Sequence, residues 1–353
     1  MEREYYIKLA NEGLRMPIGA DLVLHEKEDY ENYLKDGKLL GKVLEETARR
    51  YNTPLAVALM DLMLEKTTML KMLGIEDSKI DTYHFDSVPD ETVVNTINEK
   101  AGKFLTPRMT ADIGAVEYIA KETDLIPVGM SIGPFSLLTK LINDPITAVY
   151  LAASGISAED DDEIKTVETL LELASKMVLS NIELKIKAGA KAILVAEPAA
   201  NKVYFSPKQL DKGSDIFERY VMHYNHKIKE LLDKHNVDLI FHCCGEITDY
   251  MLKKFTDLHP VILSLGSSRI LWEDADLVPK DIVLYGNLPS KRFYSDEDIS
   301  IKDVEQKSCE LINNMKKANH PFILGTECDV LYVKGSEKKI FAKVDAFMGY
   351  SCH

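Results

Sequence analysis

The stretch VDLIFHCCG, residues 237–245, is an apolar, β-favouring run that closes on His242, Cys243, Cys244 and a glycine. It is hydrophobic on both alternations, so it reads as a strand buried on both faces, the pattern of a parallel sheet. Seven further runs of this kind follow the chain: MPIGADLVL (16–24), PLAVALMDL (54–62), IPVGMSIG (126–133), AKAILVAEP (190–198), PVILSLG (260–266), DIVLYGN (281–287) and PFILGTECD (321–329). Helix-like segments lie between them, among them GKLLGKVLEETARRY (37–51) and IFERYVMHYNHKIKELLDKH (216–235). Eight strands alternating with helices predict an α/β fold of the TIM (β/α)8 barrel type. EYYIKLANEGLR (4–15) predicts a short N-terminal helical extension that plugs or flanks the barrel bottom. No Pro/Gly/Ser-rich linker splits the chain, so residues 1–353 read as a single barrel domain.

Composition sets outer bounds. The 353 residues are 46% hydrophobic, enough for a large core. There are 57 acidic and 43 basic residues, for a net charge of −14. Such a field repels polyanions, which argues against general nucleic-acid binding and against anionic membrane surfaces. No apolar run approaches the roughly 20 residues that span a bilayer. The charged start MEREYYIKLANEG lacks the apolar core of a secretory signal, and the expected location is the cytoplasm. Five cysteines (243, 244, 309, 328 and 352) are an odd count, which predicts free thiols in a reducing compartment. The acidic run SAEDDDEIKT (157–166) reads as a solvated loop leading into a helix.

Strand geometry sorts the His-Cys-Cys cluster. Side chains alternate with period two, so His242 and Cys244 share a face and Cys243 points to the other. Both sit at the C-terminal end of their strand, where α/β barrels build active sites. Cys328 occupies the corresponding end of the last strand, and the three can converge across the barrel mouth. One imidazole and two thiolates suit Zn²⁺, and three protein ligands leave a position open for substrate. Other candidates have ordinary readings. Cys243 and Cys309 read as packing residues, His223 and His226 as packing or surface residues of a helix, and Cys352–His353 as a frayed tail. His84 and Asp86 remain candidates for the mouth.

The whole chain resembles the uroporphyrinogen decarboxylase superfamily, and within it the zinc-dependent corrinoid:thiol methyltransferases. RMPIGADLVLHE (15–26) resembles the first barrel strand, and PVGMSIGPFSLLTKLI (127–142) the superfamily's Gly-x-Pro-Phe-Ser-Leu segment. LAVALMDLMLE (55–65) resembles a strand ending in an essential acid, here Asp61. AGAKAILVAEPAA (188–200) resembles one carrying an acid before the active-site loop, here Glu197. YGNL (285–288) resembles the family's Gly-Asn turn, giving Asn287. FHCCG and GTECDV together resemble the methyltransferases' zinc pattern, and SEKKIFAKVDAF (336–347) their terminal helix.

The resemblance implies Zn²⁺ held by His242, Cys244 and Cys328. It implies Asp61 and Glu197 as catalytic acids, and Asn287 and Glu327 lining the substrate site. It also implies a methyl-corrinoid brought by a separate carrier protein, and a small-molecule methyl acceptor, a thiol such as coenzyme M or tetrahydrofolate. Homo-oligomerisation is left open. Two other functions compete: a metal-free decarboxylase of a carboxylated macrocycle, and a non-catalytic barrel that binds the corrinoid protein around a structural zinc. The decarboxylases' arginine-rich N-terminal segment is missing here; only Arg15 lies near that region. A substrate with many carboxylates needs a cluster of cationic clamps.

Overall fold

Residues 3–350 are described in a computed structural model. Its eight strands are β1 (Arg15–Ile18), β2 (Leu55–Val57), β3 (Ile126–Ile132), β4 (Ala192–Ala196), β5 (Asp238–Cys243), β6 (Ile262–Leu265), β7 (Val283–Leu288) and β8 (Phe322–Asp329). They run in the order β1-β8-β7-β6-β5-β4-β3-β2, and every ladder is parallel. The sheet curls into a nearly closed TIM-type barrel with helices outside. All eight expected strands are present. Each is shorter than the run that announced it, β1 and β2 most of all. Gly19, at φ +84, turns the chain after Ile18, and Asp21–Leu24 is helical. β2 stops at Val57, and Asp61 lies in the turn that precedes the helix Leu64–Met72.

The crossover helices start where side chains cap them. Asp36, Thr106, Asp161 and Thr248 each accept a backbone N–H of the first turn, and Ser300 with Asp303 forms a capping box. The N-terminal helix Arg3–Asn11 closes the barrel bottom. Arg3 donates to the carbonyls of His259, Pro260 and Asp281, and the Tyr6 hydroxyl bonds Asp238 at 2.8 Å, all next to strand starts. The expected helix 216–235 opens with a π-helical turn, Glu218–Met222, before the α-helix His223–Lys234.

Two cores follow from strand alternation. Met16, Ile18, Leu194, Ile240, Ile262, Val283 and Tyr285 pack inside the barrel, whereas Ile193, Val195, Phe241, Leu263 and Leu284 face the helices. Tyr285 crosses the interior and donates to the Met16 carbonyl at 2.7 Å. Its ring lies over Gly325, where a Cβ would come within 2.1 Å of the ring.

The β1 edge is irregular in two ways. Met16 pairs with Gly325 but Ile18 pairs with Asp329, so β8 bulges between them. Ile18 faces β8: its N–H donates to Thr326 Oγ1 and its carbonyl accepts from Val330. The neighbouring residue therefore faces β2, and it is Pro17, which has no N–H to offer. Among the described residues no ladder joins β1 to β2, and the barrel keeps a seam there.

Candidate metal centre

β5 delivers His242 inward and Cys243 outward, as alternation requires. Cys243 is fully buried in the outer core, 3.7 Å from the Ala200 carbonyl. Burial pushes its thiol pKa up, which makes it a poor nucleophile. The next residue, Cys244, returns to the His242 face. The β8 bulge lets Cys328 reach the same place. One ligand atom from each of His242, Cys244 and Cys328 lies within 4.8 Å of the others, and this is the one such cluster of potential metal ligands among the described residues.

The His242 ring is fully buried. Its Nδ1 is 2.8 Å from Ser264 Oγ, which lies opposite it on β6. Its Nε2 is buried and has no hydrogen-bond partner. A buried ring nitrogen is normally paired, and an orphan one beside two sulfurs is the form a metal ligand takes before it binds. With Nδ1 occupied by Ser264, Nε2 is the ring nitrogen left for a ligand bond.

The sulfurs are polarised. Cys328 donates to Cys244, which holds the Cys244 thiol well below its usual range and drives Cys328 above it. Burial opposes the first shift, while His242 and Lys291 assist it. Lys291 comes from the turn Ser290–Arg292 after β7. Burial works against its ammonium, but Cys244, Glu327 and Cys328 more than offset that and keep it charged. The donor set therefore fits Zn²⁺: one imidazole with a free nitrogen, two thiols of which Cys244 is held low, and a cation that favours the thiolate.

The other expected site residues surround this centre at different depths. Glu327 is buried one residue from Cys328, and its Oε2 accepts from Ser267 N at 3.1 Å and Ser267 Oγ at 2.6 Å. Asn287 donates to the carbonyls of Gly266 and Arg269 at 2.8 and 2.9 Å. Together they fasten the loop after β6. Asp61 accepts from Met63 N at 3.0 Å and pairs through Oδ2 with Arg108 Nε at 3.2 Å.

Glu197 does not join the ligand cluster. Leu194 and Ala196 face the interior, so residue 197 faces the helices. There it is fully buried, accepting from Ser136 N at 2.6 Å and Asn225 Nδ2 at 3.1 Å. It tethers the start of the helix Pro134–Leu141. Burial raises its pKa against the pull of those donors.

Ser264, Lys291 and Arg108 were not anticipated. Ser264 had a readable signal, a hydroxyl in an apolar strand at the register of His242. Lys291 and Arg108 sit in a loop and a helix, where no periodicity marks them. Arg15 serves elsewhere, donating to the carbonyls of Phe347 and Tyr350 at the strand's beginning. His223 is exposed and stacks edge-on against Tyr224. Cys309, expected as a free core thiol, is half-buried on the flank of its helix and disulfide-bonded. Cys243, Cys244 and Cys328 are free. The Cys352–His353 tail lies outside the described residues. Among the described residues no helix is long and apolar enough to cross a membrane.

Comparison with known proteins places the chain in a family. The family model described as uroporphyrinogen decarboxylase (URO-D) matches residues 20–349. A uroporphyrinogen decarboxylase from Pectobacterium atrosepticum is 22% identical over 304 residues, covering 84% of this chain and 80% of its own. Among solved structures, a methyltransferase from Methanosarcina mazei superposes with a TM-score of 0.66 at 15% identity, covering 98% of both chains. At that identity the second likeness shows the fold.

Proposed function

Because the chain belongs to the uroporphyrinogen decarboxylase family, we propose that it is the family's zinc-thiol kind of enzyme, a methyltransferase that passes a methyl group from a methyl-corrinoid to a small thiol. The observation that carries the reading is the open cluster of His242, Cys244 and Cys328 with its unpaired imidazole nitrogen. Zinc bound there would fix the acceptor thiol and lower its pKa, so that it attacks as the thiolate at neutral pH.

This chain's residues have separable tasks. Ser264 bonds His242 Nδ1 and aims the ring. Lys291 places positive charge beside the sulfurs. Asn287 and Glu327 hold the loop after β6. Asp61, tied to Arg108, shapes the β2 side of the mouth, and Glu197 acts at a distance as a positioning residue for the helix Pro134–Leu141. The methyl-corrinoid arrives on a carrier protein that docks at the C-terminal end of the barrel.

The decarboxylase alternative is disfavoured by how the arginines are used. Arg15 caps the C-terminal helix, and Arg269 is committed to Asp249 and Asp274. A substrate with many carboxylates would find few free clamps.

The test is metal content with activity. Purified protein should hold one equivalent of zinc and demethylate methylcobalamin in the presence of a thiol, and Cys328→Ala should lose both. Fully active protein without zinc would overturn the reading.

A further inference from the structure

Zinc in proteins is commonly held by four ligands in a tetrahedron, and His242, Cys244 and Cys328 supply three. The acids of the neighbourhood are engaged elsewhere. Glu327 accepts from Ser267, and Asp61 pairs with Arg108. Glu197 is tied to Ser136 and Asn225 among the helices, and the exposed Glu246 pairs with Lys202 at 3.0 Å. A sulfur remains. Met60 Sδ lies 4.0 Å from Cys328 Sγ. With Zn–S bonds of about 2.3 Å, two sulfurs on one tetrahedral ion sit about 3.8 Å apart. The spacing of Met60 and Cys328 therefore matches one edge of such a tetrahedron, and a thioether is a soft donor of the kind that joins thiolates.

The backbone sets Met60 in this place. The Ala58 N–H bonds the Val128 carbonyl at 2.9 Å, and the Asp61 N–H closes back on the Leu59 carbonyl at 2.9 Å. Met60 is the central residue of that three-residue turn. Its side chain is half-buried against the core inside the barrel. An unbranched side chain with three rotatable bonds can move on and off a ligand position without moving the turn.

We propose that Met60 Sδ is a fourth, displaceable ligand of this centre, holding the position that the acceptor thiolate takes. The inference rests on the zinc-thiol reading above. Two thiolates already neutralise Zn²⁺, so a neutral thioether is held weakly and an anionic thiolate displaces it. In methyl transfer the acceptor thiolate supplies the electron pair of the new S–CH₃ bond, and the cobalt keeps the pair of the bond that breaks. The product is a neutral methyl thioether, the same class of donor as Met60. Met60 is tethered beside the position and competes at high effective concentration, so it reclaims the place and expels the product.

X-ray absorption on zinc-loaded protein counts the sulfurs directly. Wild type should show three sulfurs and one nitrogen. Met60→Leu, a swap of nearly equal volume, should show two sulfurs and a light atom. Dimethyl sulfide, a neutral probe for the product, should restore the third sulfur in Met60→Leu at concentrations that leave the wild type unchanged. Zinc affinity, read by chelator competition, should fall no more than about tenfold in the variant, because the thiolates and imidazole carry most of the binding. Circular dichroism and thermal melting establish that the variant is folded. Two sulfurs in the wild type, or the same count in folded Met60→Leu, would overturn Met60 as a ligand and leave the zinc centre standing. Protein that takes up no stoichiometric zinc would overturn both readings.

Discussion

Ser264 Oγ lies 2.8 Å from His242 Nδ1 and occupies that nitrogen, so Nε2 is the one left without a partner. The contact crosses from β6 to β5 at matched register. If it tunes the metal centre, Ser264→Ala should leave the fold intact and weaken zinc binding roughly 10- to 100-fold, the usual cost of losing a ligand's outer hydrogen bond. Competition with a chromogenic chelator measures this. Unchanged affinity would mean that the ring is held by packing alone.

The two adjacent cysteines should separate cleanly. Cys244→Ala should abolish stoichiometric zinc, as His242→Ala should. Cys243→Ala should retain it and lose only about 1 kcal/mol of stability, since that thiol fills outer core. Elemental analysis of the purified variants decides the first point and urea unfolding the second.

Glu65 makes a prediction about pH. It is 1% exposed, and its Oε1 accepts from Ser131 at 2.7 Å and Asn181 at 2.6 Å, while Oε2 is unpaired. Burial raises its pKa, opposed by the nearby Lys185. A carboxyl whose pKa is higher folded than unfolded binds its proton more tightly in the native state. Its contribution is therefore fully present below the ordinary carboxylate range and is lost as pH rises through the folded pKa. Glu65→Gln keeps an acceptor at Oε1 and removes the charge. Urea unfolding at a series of pH values should then show a shallower loss of stability on the alkaline side than in the wild type. Identical slopes would show that Glu65 stays ionised at no cost.

Gly325 is required by Tyr285. A methyl group there would collide with the phenol ring that spans the barrel. Gly325→Ala should cost about 1–3 kcal/mol in urea unfolding, as overpacking of a filled core does. The double change Gly325→Ala with Tyr285→Leu should recover part of it, although the phenol's bond to Met16 is lost.

How much of this was legible depended on whether the signal was periodic. Continuous apolar runs gave all eight strands, because a strand covered on both faces has no polar side to disguise it. Their ends were less visible. Gly19 cut the first run short through its backbone conformation, while the residues beyond it stayed apolar enough to resemble strand. Alternation placed His242 with Cys244 and would also have turned Glu197 outward, had it been applied to the strand Ala192–Ala196. Cys328 was less readable, since the bulge in β8 breaks the count that alternation relies on. Asp61 and Arg108 are 47 residues apart on a turn and a helix. Only the folded chain brings them together.

The unpaired boundary at Pro17 has a mechanical consequence. A fully laced barrel is stiff in every direction, because opening any one gap strains all the others. Here one gap lacks lacing, so the cylinder behaves like a split ring whose two lips can part without breaking a ladder. One lip is β2, which runs on into the turn that carries Asp61, and the other is β1, laced to the strand that carries Cys328. Widening of the split would change the span between the Asp61–Arg108 pair and the sulfurs first, which gives the mouth one compliant dimension.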